Sequence, residues 1–420
     1  MLQNELIEKL EAQCAPYFTS INQMVEINQK KVLNAFREEQ IGDHHFSSTD
    51  GYGYDDQGRD GLEALYARVF GGDDALVRPQ IVSGTHAIAT ALYAMLRPGD
   101  GLLYITGAPY DTLDQVIGKN TSNTGSLKDY GVRYNEVLLK DDQTIDYEGI
   151  KNAINEHTKV VGIQRSKGYE NRPSFTIDAI EQMIQFVKEI DENIIVFVDN
   201  CYGEFVEDRE PLEVGADIMA GSLIKNPGGG LVRAGGYIVG KEDLVELAAN
   251  RLTAPGLGKD AGATLNMLQE MYQGFFLAPH VVGEALKGAI FTARLMDYVG
   301  VETAPTYTDK RTDIIQAMTF HHEEAMIKFC EAIQANSPIN LYVAPYPSEM
   351  PGYEEKVIMA AGTFIQGASI ELSVDGPIKP PYTAFLQGGL TYAHVKIAII
   401  QTVEKLIQDG LLDPLTFPEL

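Results

Sequence analysis

Four short segments carry side chains that can do chemistry, and each follows an apolar run. Ser222-Leu223-Ile224-Lys225 ends one such run and breaks at Asn226-Pro227-Gly228-Gly229-Gly230. A lysine in a loop is ordinarily a solvated charge. One that leaves an apolar strand directly, ahead of glycines that permit close backbone approach to a ligand, is partly desolvated. Its pKa falls and it becomes a nucleophile able to form an imine. Asp199 closes IIVFVD and precedes Asn-Cys-Tyr-Gly-Glu-Phe; a carboxylate there pairs with a cation, binds a metal or caps the next helix. Ser83-Gly84-Thr85-His86-Ala87 opens straight into a helical pattern. Its N–H groups and positive dipole end suit a phosphate, although Ser and Thr serve equally as plain N-caps. Gly107-Ala108-Pro109-Tyr110 puts a ring after another strand, for packing or for stacking on a flat ligand.

The elements that position these residues alternate. Residues 4–40 read as a helix, with Leu6, Leu10, Ile21, Val25, Val32 and Phe36 at mixed three- and four-residue spacing. A Gly- and Asp-rich loop, FSSTDGYGYDDQGRDG, and a short helix, LEALYARVFG, follow. Strands are expected at about 79–83, 102–106, 134–139, 159–164, 194–199, 218–223 and 236–240, with helical stretches such as AIATALYAML between them. This rhythm predicts an α/β fold with a mostly parallel seven-stranded sheet covered on both faces. In such sheets ligands bind beyond the carboxyl ends of the strands. A helix over 280–299 leads to a changed rhythm: helix over 313–335, short strands at 339–343, 357–360 and 368–373, and a last helix at 391–409. The expected division is an N-terminal helical arm (1–50), a large α/β domain (51–290) and a smaller α+β domain (291–420), packed together without a Ser- or Pro-rich linker.

Composition narrows the function. A net charge of −26 repels nucleic acid and anionic membranes. Cys14, Cys201 and Cys330 have no CxxC spacing, which predicts a reducing cytoplasm rather than a disulfide framework or structural zinc. MLQNELIEKLEAQC is too acidic for a signal peptide, and no apolar run approaches the roughly 20 residues of a membrane span. GYGYDDQG and LGKD fail the dinucleotide and P-loop spacings. Asp43-His44-His45 and His321-His322-Glu323-Glu324 lack metal-ligand spacing, so no metal is expected.

Together the segments are more specific than any one. YGYDDQGRDGLEALYARVFG, SGTHAIATAL, VDNCYGEF, SLIKNPGGG and LQGGLTYAH span nearly the whole chain. They resemble pyridoxal 5′-phosphate (PLP) enzymes of fold type I, within the cystathionine and methionine lyase group. More closely they resemble the bacterial methionine gamma-lyase family proteins also called aluminium resistance proteins. The resemblance implies PLP held as an imine on Lys225, which later moves the Cα proton. It implies Asp199 on the pyridine nitrogen, Tyr110 stacked on the ring, and Gly84, Thr85 and Ser222 on the phosphate. His86, inside the phosphate loop, is the one histidine expected at the site, near the ring. It implies that Tyr54 and Arg59, with Tyr52 beside them, reach the phosphate of a neighbouring subunit, and hence a homodimer or homotetramer with shared active sites.

The chain also departs from that pattern. Ile224 stands where the better-known lyases carry a hydroxylated residue, and Arg311 is the one arginine after residue 300. A carboxylate-gripping arginine is usual in the small domain of such enzymes. Arg165, Arg172 and Lys379 are the candidates to bind the substrate carboxylate here. The leading expectation is a cytoplasmic carbon–sulfur lyase acting on a cystathionine-, methionine- or cysteine-like amino acid. Transamination, racemisation and aldol-type cleavage use the same lysine and aspartate. A non-catalytic PLP sensor is disfavoured, because there is no basic segment for DNA.

Overall fold

The computed structural model describes residues 2–119, 125–350 and 355–413. The chain opens on α1 (Asn4–Glu38) and α2 (Gln57–Phe70), the latter capped by Asp56, which accepts the Arg59 N–H. Alternation follows through β1 (Asp74–Arg78), α3 (Gly84–Met95), β2 (Gly101–Tyr104), α4 (Asp111–Ile117), β3 (Arg133–Glu136) and α5 (Tyr147–Ala153). Next come β4 (Thr158–Gln164), α6 (Ile177–Ile190), β5 (Ile195–Asp199), β6 (Ile218–Ser222), β7 (Gly236–Gly240) and α7 (Glu242–Leu252). The long α8 (Leu268–Tyr298) leads to β8 (Glu302–Ala304), β9 (Gln316–Thr319), α9 (Glu323–Ala335), β10 (Val357–Ala360), β11 (Ser373–Pro377), β12 (Thr383–Gln387) and α10 (Tyr392–Gln408).

The first sheet has the order β1-β7-β6-β5-β4-β2-β3. Strands β6, β5, β4, β2 and β3 are parallel, while β7 runs antiparallel between β1 and β6. Helices on both faces explain the unbroken apolar runs. On β5, Val196 and Val198 pack into the layer of Ile180 and Phe275, while Phe197 faces the layer of Leu92 and Val245. Gly221 on β6 has no room for more: a Cβ there would lie 2.6 Å from the Tyr237 ring. The second sheet, β10-β11-β12-β9-β8, is antiparallel throughout. Helix α8 touches α1, β8, β9, β12 and α10, joining the two halves by a packed helix. Among the described residues, no helix is long and apolar enough to cross a membrane.

Several expected boundaries are corrected. The first strand is Asp74–Arg78, not 79–83: Pro79 has no N–H to give a ladder, the chain turns there, and Val82 is exposed. The 313–335 stretch begins as β9, and the helix starts at Glu323. Residues 339–343 form no strand, and the 368–373 strand lies instead at Ser373–Pro377. Strands β8, β9 and β12 escaped the sequence reading because runs of three to five residues carry too little periodicity.

Candidate active site

Adjacent parallel strands deliver their carboxyl ends to one rim. From β6 come Ser222 and Lys225, from β5 Asp199, from β4 Gln164, and from the loop after β2 Tyr110. These residues line one cavity of about 270 Å³, together with Ser83, Gly84 and Thr85. The Lys225 Nζ lies 3.9 Å from the centre of the Tyr202 ring, a cation–π contact. Tyr202 adopts φ +71°, a left-handed conformation uncommon for a bulky residue, in the tight turn that follows β5.

The charge on Lys225 differs from expectation. Burial works to lower its pKa. The ionisable groups packed round it, chiefly Cys201, Tyr202 and Asp199, nonetheless hold it above the usual lysine value. The free side chain is therefore an ammonium and must shed a proton before it acts as a nucleophile. Asp199 is raised above the ordinary carboxylate range because burial outweighs Lys225 and the Cys201 backbone N–H that it accepts at 3.1 Å. A buried carboxylate in that state gains from a cation brought to it.

Another part of the cavity wall is built for an anion. The Ser83 Oγ caps α3 by accepting the His86 N–H (3.1 Å), and the Ser83 carbonyl accepts the Ala87 N–H (3.0 Å). Helix geometry leaves the N–H groups of Gly84 and Thr85 without an intrahelical acceptor. Thr85 and Thr112 hydroxyls meet at 3.1 Å. A Cβ on Gly84 would lie 3.3 Å from Ser222 Cβ and 3.4 Å from Cys201 Sγ, so glycine keeps this floor open. A helix N-terminus suited to an anion, a buried carboxylate, an aromatic side chain and a lysine on one cavity fit a phosphorylated pyridine. PLP is such a group.

A second wall comes from the small sheet. Asp375 on β11 is buried, and its Oδ2 accepts both the Tyr169 hydroxyl (2.5 Å) and the Gln387 amide N–H (2.7 Å). Burial pushes its pKa up to about 6 against the lowering effect of those two bonds. Tyr169 also meets the Tyr110 ring edge-on at 5.8 Å. Sequence reasoning missed Asp375, Gln387, Tyr169 and Tyr202. Tyr202 had a signal, its place three residues after Asp199 in VDNCYGEF, and Gln387 lies within LQGGLTYAH.

Other expected residues lie elsewhere. His86 turns its ring back, and Nδ1 accepts the Val82 N–H (3.1 Å), so it lines no part of this cavity. Tyr54 and Arg59 border a separate cavity of about 970 Å³ beside Glu63 and Lys259. Arg59 is buried there, on Asp60 (3.0 Å) and backbone carbonyls of Gly53 and Gly262. Tyr52 and Tyr54 are exposed and stacked at 5.3 Å. Arg165 is fully enclosed by Thr312, Asn200, Glu210 and Glu207 and is not available to a substrate. Arg172 binds the Ser166 carbonyl (2.7 Å) behind the cavity wall. Lys379 is exposed in the turn after β11. Arg311 donates to Gln316 (2.5 Å) away from the cavity. Among the described residues that line the cavity there is no arginine.

Comparison with known proteins agrees with this geometry. A family model described as methionine gamma-lyase matches residues 3–407. YnbB of Bacillus subtilis (strain 168), described as uncharacterized, is 60% identical over 417 residues, covering 98% of this chain and 99% of its own. A crystal structure from Listeria monocytogenes, of a candidate cystathionine beta-lyase involved in aluminium resistance, is 56% identical. Its TM-score is 0.95 over 96% of this chain and 100% of that one. At 16% identity, the pyridoxal-5′-phosphate dependent protein YhfS of Escherichia coli shares the fold, with a TM-score of 0.63 over 91% of this chain and 97% of its own. The architecture is that of fold type I.

Proposed function

The chain belongs to the methionine gamma-lyase family, whose cofactor is PLP, and from that premise we propose that it is a carbon–sulfur lyase. Its substrate is a sulfur-containing amino acid, and α,β- or α,γ-elimination releases a thiol, ammonia and a 2-oxo acid. The observation that carries this reading is the convergence of Lys225, Asp199, Tyr110 and the α3 N-terminus on one cavity.

Bound there, PLP supplies an electron sink for the pair left at Cα when its proton is removed. The rest of the work falls to the chain. The Gly84 and Thr85 N–H groups and the Ser222 hydroxyl hold the phosphate, and Asp199 holds a proton on the ring nitrogen. Tyr110 covers the ring. Lys225 would hold the cofactor, and its Nζ, placed over the Tyr202 ring, would be the base for the Cα proton once uncharged. Tyr54 and Arg59, away from this cavity, serve the phosphate of a second copy in a homodimer or homotetramer. Cys14, Cys201 and Cys330, all buried and free, fit a reducing cytoplasm.

The test is a visible absorption spectrum of the cofactor-loaded protein and of Lys225→Ala, followed by product analysis with cystathionine, cysteine and methionine. The wild type is expected to show a lysine-bound cofactor band that the variant lacks, and to release thiol and 2-oxo acid. A protein that binds PLP but releases neither product from any of the three overturns the lyase reading.

A further inference from the structure

The small-sheet wall of the cavity has unmatched acceptors. Both donors that reach Asp375, the Tyr169 hydroxyl and the Gln387 amide, go to Oδ2. Asp375 Oδ1 and Gln387 Oε1 are buried without a partner, on residues that line the cavity. The Gln387 amide cannot be turned over to relieve this, because its oxygen would then face the Asp375 carboxylate. Strand pairing fixes the arrangement: β11 and β12 are antiparallel, with Ser373 opposite Gln387 and Asp375 opposite Phe385. Two acceptors left unpaired in a buried wall cost free energy that a ligand with several N–H donors recovers.

The charge of the cavity points the same way. Its charged lining residues, among those described, are Lys225, Asp199 and Asp375. Lys225 and Asp199 are taken up by the cofactor on the reading above. Asp375 is then the charge left for the substrate, and it is negative. It repels a carboxylate and attracts a cation in a site where water screens little.

We infer that Asp375 and Gln387 form a subsite for an ammonium group on the part of the substrate remote from the reacting carbons. The substrate class is therefore an amino acid that carries a second amino group. This rests on the carbon–sulfur lyase reading and adds the specificity that reading leaves open.

Three cysteine derivatives of similar length test it: S-(2-aminoethyl)cysteine, S-propylcysteine and S-(2-carboxyethyl)cysteine. Dissociation constants are read from the immediate change each makes in the visible band of the cofactor-loaded protein. The aminoethyl compound is expected to bind about ten- to a hundredfold tighter than the propyl compound, the range of a hydrogen-bonded charge, with the carboxyethyl compound weakest. Asp375→Asn is expected to bring aminoethyl and propyl within about threefold, and Gln387→Leu to shift the ratio in the same direction. Equal binding of all three by the wild type, or preference for the carboxylate, overturns the subsite whether or not the variants fold. A variant that weakens all three alike also overturns it, since that marks a structural role. No response from any of the three, with cofactor bound, overturns the lyase reading instead.

Discussion

Two buried clusters of charge stand near the cavity, and they follow opposite rules. In the cluster around Arg165 the charged groups are paired. The guanidinium donates to Thr312 (3.2 Å), Asn200 (2.9 Å), Glu210 (3.4 Å) and Glu207 (3.3 Å). Glu207 also takes the Ile177 N–H and Lys310, and Glu210 takes the Phe205 N–H and the Asn200 amide. The cluster around Asp375 has donors on one oxygen and none on the other. A buried charge with a complete set of partners is scaffold; one left half-satisfied beside a cavity is a place for a ligand. The first locks the ends of β4 and β5 to the segment that enters the second sheet, and the second waits on that sheet's own strands.

The largest effect should come from opening the closed cluster. Arg165→Met removes the cation and leaves Glu210, whose pKa burial already raises, with no charged partner among those that touch it. Breaking a buried pair in this way costs about 3–5 kcal/mol. The variant is expected to unfold at much lower urea concentration, while any folded fraction keeps its cofactor spectrum. An unchanged midpoint would show that the cluster is not scaffold.

The open cluster should respond to pH. Burial raises Asp375 from 3.8 to about 6, so the folded chain holds this proton more tightly than the unfolded chain does. The resulting stability is fully present below the unfolded value and is lost as pH rises from about 4 through about 6. Across that window wild type should lose up to roughly 3 kcal/mol relative to Asp375→Asn, following about 1.4 kcal/mol per pKa unit. Urea midpoints of both proteins at pH 4.5 and 7 measure this. Parallel behaviour would mean that Asp375 ionises normally.

The same contrast explains what was legible in the sequence. Lys225, Asp199, Ser222, Gly84, Thr85 and Tyr110 could be found because they follow strands buried on both faces, and such strands announce themselves as apolar runs. The first strand slipped because Ile81 and Val82 read as apolar although Pro79 had already ended the ladder. Arg165 read as available because its enclosing acids, Glu207 and Glu210, come from a loop whose fold no local pattern fixes. Asp375 gave no signal. Its strand is short, and its partners, Tyr169 and Gln387, are set by packing between the two sheets and by strand register.

A third buried carboxyl, neither closed nor open to a ligand, should have the smallest effect at the cofactor and gives the sharpest control. Glu204 accepts the Tyr237 hydroxyl at 2.7 Å on Oε1, and its Oε2 has no partner. Burial, aided by nearby Glu210, pushes its pKa up to about 8 against the lowering effect of the Tyr237 bond. At pH 7 it is therefore a neutral acid in the folded chain. Glu204→Gln replaces one neutral group by another of the same shape, so the two proteins should agree within about 0.5 kcal/mol below about pH 4.5, where folded and unfolded chains both hold the proton. Above that, wild type falls behind the variant as pH rises from about 4.5 to about 8, by up to roughly 5 kcal/mol at about 1.4 kcal/mol per pKa unit, because its unfolded chain gives up a proton that its folded state keeps. Urea midpoints at pH 5, 7 and 9 follow this widening gap, and the cofactor spectrum should not change. A spectral shift in this variant would mean that Glu204 carries charge next to Lys225, and that completeness of partners alone does not separate scaffold from site.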